Sequence, residues 1–309
     1  MKFKKEYIII VFVILLLSTY LMIRNTDQTQ YKLPLFKKLV VDEITNIEIT
    51  RPDSMITLNK KADNWRLSPH GYLADKEKVT DIINNIKNFS LTALVSESKN
   101  YTMYELTDDK KITVKARAGD KRLCRKFEIG KSASSFQHTF VKIPGDHRVY
   151  HAKGNFRGNF DGDIDDFRDK TVLSFEQNNI TQIQITRDRN SAIISQHKVP
   201  VESDPKTSET QTIWKKADGQ TIDQKKIENF LADINRLKCD QYIYDRKKKD
   251  FTKALYLISL TGSQKKYTLS IFAKNNGDSQ YPVVSSESDY PFMLSEYRVD
   301  DMINSFDKS

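Results

Sequence analysis

The sequence predicts an α+β protein: an N-terminal transmembrane helix followed by two tandem copies of one antiparallel-sheet-plus-helix module. Three observations predict this. The chain opens on a long uncharged run, an eight-residue segment returns almost unchanged later on, and two helical patterns share one spacing.

The first element is the apolar run. Lys2, Lys4 and Lys5 precede it, no charged side chain occurs from Tyr7 to Ile23, and Arg24 ends it. At about 1.5 Å per residue the run covers roughly 25 Å, near the ~30 Å hydrocarbon core of a bilayer. Lysines ahead of an apolar segment stay in the cytoplasm. The expected arrangement is a single-pass anchor with ends at Tyr7 and Ile23, the N-terminus inside and the remaining chain outside. A cleaved signal peptide has a similar layout, but this run is long for one and residues 18–23 (STYLMI) contain no small-residue cleavage site.

The repeat comes next. Residues 44–51 read ITNIEITR and residues 180–187 read ITQIQITR, identical at six of eight positions. Alternating Ile47 and Ile49, like Ile183 and Ile185, marks a strand with one buried face. Each copy then reaches one of the chain's 2 tryptophans, Trp65 and Trp214. Asp75 and Asp223 follow as helix N-caps, because a helical pattern starts after each. The apolar faces are Val79, Ile82, Ile83, Ile86 and Phe89, then Ile227, Phe230, Leu231, Ile234 and Leu237. Their spacing is the same and the offset is a constant 148.

Strand-rich halves close each copy. The first has 112–119, 125–130, 140–143 and 148–152, and the second has 255–262, 267–272, 282–286 and 291–294. Gly119 and Gly262 sit at matching turns. The expected organisation is 1–24 cytoplasmic tip and anchor, 25–40 stalk, 41–170 first module and 171–309 second module. Residues 196–212 (QHKVPVESDPKTSETQT) are predicted to be a polar, mobile insertion.

Composition excludes several classes. The net charge is +9; Lys2, Lys4, Lys5 and Arg24 against Glu6 supply three of these charges, leaving a modestly basic remainder of about +6 beyond the anchor. No dense basic stripe with interleaved aromatics suggests nucleic acid. Arg246–Lys249 is the densest cluster and reads as a solvated turn. The basic balance and the tyrosines Tyr101, Tyr104 and Tyr281, expected to be exposed, suit an anionic glycan or lipid headgroup. With only Cys124 and Cys239, the fold is not a disulfide scaffold. The two thiols pair or stay apart as separate buried small residues; the sequence leaves both open.

No catalytic constellation emerges. His147 and His151 lie four apart, but RVYHA reads as a strand, and no further ligand completes a zinc set. Asp161, Asp163, Asp165 and Asp166 begin like a calcium loop, yet Asp166 and Val172 stand where such a loop needs Gly and Glu. A turn or helix N-terminus is the competing reading. Arg168, Asp169 and Lys170 are candidate contact residues, either facing a partner carboxylate or phosphate or clamping the junction between modules. No catalytic, cofactor or metal residues are expected.

The order Trp65, Pro69, Ala74-Asp75, Tyr104-Glu105-Leu106, Ile129-Gly130, Val149-Tyr150 and Phe167-Arg168-Asp169-Lys170 resembles the bacterial domain-of-unknown-function 4340 family. The resemblance implies a protein commonly anchored at its N-terminus in the bacterial inner membrane, beside ABC-transporter permeases and gliding-motility-type proteins. The expected function is then a non-enzymatic extracytoplasmic accessory subunit contacting protein partners. A tethered module binding an anionic envelope polymer or lipid headgroups is the alternative.

Overall fold

The computed structural model describes the backbone of residues 5–24, 31–188, 190–200 and 210–307. The chain divides into two compact units, Met1–Gly162 and Asp163–Ser309. The division falls ahead of the expected boundary at residue 170, because residues 163–170 bind into the second unit as described below.

Helix α1 (Lys5–Arg24) is the expected N-terminal helix. The finer expectation of a membrane span is not established by it: among the described residues no helix is long and apolar enough to cross a membrane. Side chains are described from Ile9 to Leu21. The side chains of the expected ends, Tyr7 and Ile23, lie outside the described ones.

In the first unit, four strands form an opening meander: β1 (Ile44–Thr50), β2 (Met55–Lys61), β3 (Asn64–Ser68) and β4 (Tyr72–Leu73). Helix α2 (Lys76–Lys87) and β5 (Leu91–Ser96) follow. A second meander holds β6 (Ile112–Ala118), β7 (Leu123–Ser132), β8 (His138–Lys142) and β9 (Val149–Lys153), and the short helix α3 (Arg157–Phe160) ends the unit. All nine strands join one sheet in the order β4-β3-β2-β1-β6-β7-β8-β9-β5. The strands flanking α2 therefore lie at opposite edges, so the chain through α2 must cross one face.

Strand periodicity buries that face. Ile56, Ile49, Val114 and Phe127 stand opposite one another across four strands, each at most 4% exposed. Leu67, Leu58, Ile47 and Ala116 form the adjacent row, which ends on Arg125. The other face is polar: Glu48 lies between Lys115 and Arg117, and those cations hold its carboxyl below the usual range.

The second unit repeats this plan. It begins with α4 (Ile164–Phe167) and β10 (Thr171–Leu173). Its meander is β11 (Ile180–Arg187), β12 (Asn190–Pro200), β13 (Thr210–Lys216) and β14 (Thr221–Ile222). Helix α5 (Gln224–Ile234), β15 (Leu237–Lys238) and β16 (Gln241–Tyr242) follow. Strands β17 (Ala254–Gly262), β18 (Lys266–Phe272), β19 (Gln280–Ser285) and β20 (Phe292–Ser295) precede helix α6 (Glu296–Asp307). The sheet order is β14-β13-β12-β11-β17-β18-β19-β20-β16, strand for strand that of the first unit.

Two expectations change, and the opening of each module proves to be a four-strand meander. Within the insertion expected at 196–212, the described residues are strand: β12 and β13 stay paired out to Pro200 opposite Thr210, and residues 201–209 lie outside the described residues. Part of the expected stalk is packed on the first unit. Phe36 meets Phe89 edge-on at 5.0 Å, and Arg125 covers the Phe36 ring at 4.8 Å.

Both helices bury the face the spacing named. Val79, Ile82 and Ile86 of α2 are buried, as are Ile227, Phe230, Leu231 and Ile234 of α5. Asp75 accepts from the backbone N–H of Glu77 at 2.9 Å and of Lys78 at 3.0 Å, and Asp223 from that of Lys225 at 3.0 Å. Each satisfies donors that an uncapped first turn leaves open. Replacing Asp75 or Asp223 with Ala is expected to destabilise the chain by about 1 kcal/mol, and with Asn by less. Equilibrium denaturation checks this; equal stability of the Ala and Asn variants would count against capping.

Candidate functional site

In the first unit, the end of β1 and the turn after α3 enclose a groove of about 580 Å³. Arg51 closes the repeated ITNIEITR segment, so the alternation of β1 delivers it to the sheet's end. Its Nη1 donates to Asp161 Oδ1 at 3.1 Å, and its Nε to Ser54 Oγ at 3.0 Å. Arg157 approaches the other oxygen of Asp161 at 3.5 Å and donates to the Lys110 carbonyl at 2.9 Å. Asp161 thus bridges two arginines. Glu105, held in a left-handed backbone conformation (φ 55°), lies 4.0 Å from Arg157. The groove presents fixed charges of both signs.

In the second unit, Arg168 is buried at 7% exposure. Its guanidinium lies 3.4 Å from the centre of the Tyr242 ring, 4.7 Å from Tyr290 and 5.6 Å from Tyr244. It donates to the Tyr244 hydroxyl at 2.8 Å, and that hydroxyl donates to Asp165. A flat cation among three ring faces gains from each ring's negative quadrupole. Burial pushes the Tyr242 phenol well above its ordinary range, and burial together with Asp165 does so for Tyr244. Asp169 accepts from the Thr171 N–H at 2.8 Å. The Lys170 ammonium donates to the Asp240 carbonyl at 3.2 Å, and the Lys170 carbonyl accepts from Cys239 N–H at 2.8 Å. The contacts described for Arg168, Asp169 and Lys170 all lie within the second unit, and they tie residues 163–170 to it. A further cavity of about 380 Å³ lies beside α5 and α6, lined by Asp233, Arg236, Tyr297 and Arg298.

The remaining candidates are dispersed. His151 lies in β9, as expected, and His147 in the preceding loop. His151 stacks instead on His138, with ring centres 5.2 Å apart; burial and His138 lower its pKa. No group of three potential metal ligands occurs among the described residues. The acidic run does form a helix start: Asp163 N–H donates to Asp166 Oδ2 at 2.8 Å ahead of α4. Within the basic turn, Lys248 donates to the Ser285 and Ser288 carbonyls at 2.8 and 2.9 Å. The tyrosines expected to be exposed are half-buried. Tyr101 donates to the His147 carbonyl at 2.9 Å and Tyr281 packs on the core. Both cysteines are free thiols.

The family described as domain of unknown function (DUF4340) matches residues 43–257, from the start of β1 into β17. The chain belongs to this family. The DUF4340 match begins in the first unit and runs into the second, so it takes in most of both sheets. No curated protein and no solved structure matches the chain.

The groove's arginines escaped the sequence reading, although a signal existed for one: Arg51 and Arg187 both survive in the repeat. Asp161 reads only as the start of the acidic run, and Arg157, a lone charge, looks like any solvated residue.

Two outcomes follow for this DUF4340 chain. Replacing Arg168 with Ala should cost about 2–3 kcal/mol, and replacement with Lys should recover only part of it, because an ammonium cannot stack. Denaturation followed by tyrosine fluorescence checks this. In the first unit, Asp146 accepts from Arg148 Nη2 at 2.8 Å and the Tyr150 hydroxyl at 2.7 Å. Arg148 is the main cause that holds its carboxyl far below the usual range, while burial pushes Tyr150 up to about 12. Because the folded pKa is depressed, this stabilisation is present above the unfolded value of about 3.9 and is lost as pH falls below it. Asp146→Asn should therefore flatten the acid limb of melting temperature against pH.

Proposed function

We propose that this chain is a non-enzymatic, membrane-anchored accessory subunit of an envelope ABC-type transport or gliding-type complex, acting through protein–protein contacts outside the cytoplasmic membrane. The observation that carries the reading is the surface of α1. Every side chain described from Ile9 to Leu21 is exposed, including Phe12 at 64% and Leu15 at 60%. An apolar helix exposed all round needs an apolar surrounding. The sequence extends the uncharged run to Tyr7 and Ile23, and the preceding lysines favour a cytoplasmic N-terminus.

The rest of the chain supports contact rather than chemistry. The first sheet carries a polar face of ion pairs opposite its core, and its groove offers fixed charges of both signs, which suit a protein surface better than a bare anion. The alternative, a tethered module for anionic glycan or lipid headgroups, draws on the modestly basic remainder of about +6 beyond the anchor. It has less support, since the tyrosines that would stack on sugars are engaged internally.

Membrane fractionation tests the anchor. The full chain should stay with membranes through alkaline extraction, and Ile14→Lys with Leu15→Lys should release it; release of the unaltered chain would defeat the anchor. Purification in mild detergent tests the partners, with permease subunits expected alongside. A chain that always emerges alone would count against a complex, and salt-sensitive glycan binding by that chain would favour the alternative.

A further inference from the structure

The two units are the same fold, so corresponding positions can be compared within one chain. In the second unit, the segment before β11 is built in. Thr171 and Leu173 pair with Lys238 and Leu237, Val172, Leu173 and Phe175 are at most 6% exposed, and Phe175 packs on Tyr267 at 5.6 Å. In the first unit, residues 31–40 hold the same place before β1 but form no strand. Phe36 is half-buried, and two neighbouring apolar side chains face outward, Leu35 at 96% and Val40 at 57% exposure.

The surface beneath differs at one decisive position. Tyr267 lies in register with Leu260 and Ile183. Arg125 lies in register with Ala116 and Ile47, the same place in the first sheet. Arg125 is 6% exposed and ends an otherwise apolar row. Its Nη2 donates to the Lys37 carbonyl at 3.1 Å, its guanidinium covers Phe36, and its buried Nε has no hydrogen-bond partner. A buried guanidinium paired with a carbonyl and a ring, with one donor unsatisfied, is a costly seat. Opening the segment returns that cation to water, so the cost of losing the contacts is partly offset.

We propose that residues 31–40 are a releasable latch on the first unit, with Phe36 as the bolt and Arg125 as the catch, and that residues 171–175 are its permanent counterpart in the second. Open, the ten residues extend to roughly 33 Å, which lengthens the connection between α1 and the first sheet. That lengthening deepens the anchored-subunit reading, while the latch itself does not depend on it.

Limited trypsin digestion of the full chain in detergent micelles tests the latch, since cleavage after Lys37 and Lys38 requires the segment to open locally. The unaltered chain should be cut there well before Lys170, next to the permanent counterpart. Phe36→Ala and Arg125→Ala should each speed the cut about tenfold. Phe36→Ala alters only a half-buried side chain at the edge of the fold, so it tests the latch even if a substitution at Arg125 fails to fold. Arg125→Tyr, which copies the second unit, should slow the cut. Protection of Lys37 and Lys38 equal to that of Lys170 would overturn the proposal. So would rates unchanged by Phe36→Ala, or a folded Arg125→Tyr chain cut as fast as the unaltered one.

Discussion

Each unit depends on one long-range pairing, that of its entering strand with the first strand of the second meander. β1 lies between β2 and β6, and β11 between β12 and β17. Without that ladder, each sheet falls into two pieces, neither with a closed core. The alternating isoleucines of ITNIEITR and ITQIQITR are what both neighbours pack beside, since Ile49 faces Ile56 on one side and Val114 on the other. The most faithfully repeated segment of the sequence is thus the one under constraint from two sides. A slip of one residue would turn its buried isoleucines toward the polar face on both ladders at once.

Much of this was legible in the sequence, and the parts that were not share a cause. The repeat, the helix faces, the aspartate caps and the second meander all leave periodic or positional marks. The edges do not. Tyr72–Leu73, Thr221–Ile222 and Gln241–Tyr242 are two-residue strands, too short to show alternation. The pairing of β5 with β9 joins segments far apart in the chain. The polar stretch after Ser195 reads as a loop because the hairpin's outer part, with His197, Lys198 and Gln211 exposed, shows little apolar alternation. Arg168 was singled out by its motif, but its three tyrosines come from distant positions, so its role inside the second unit could not be read.

The copies have also diverged where a duplicated fold can tolerate it. Trp214 is 4% exposed, while Trp65 is only half-buried. The four-residue α3 follows the first sheet, whereas the twelve-residue α6 follows the second. The substitution with most consequence is an arginine in one apolar row and a tyrosine in the other. Two sheets with identical strand order thereby hold their leading segments by different chemistry.

The position of the entering strand also bears on synthesis. The chain emerges N-terminus first, so each sheet is laid down from its middle outward. Once β1 has paired with β2, its other edge stays open, with backbone groups unpaired, until the chain as far as Ala118 has been made. The same exposure recurs from β11 to Gly262. In a crowded compartment two such half-sheets from neighbouring nascent chains could pair with each other. The fold therefore carries a built-in demand for shielding during synthesis, twice over in every molecule.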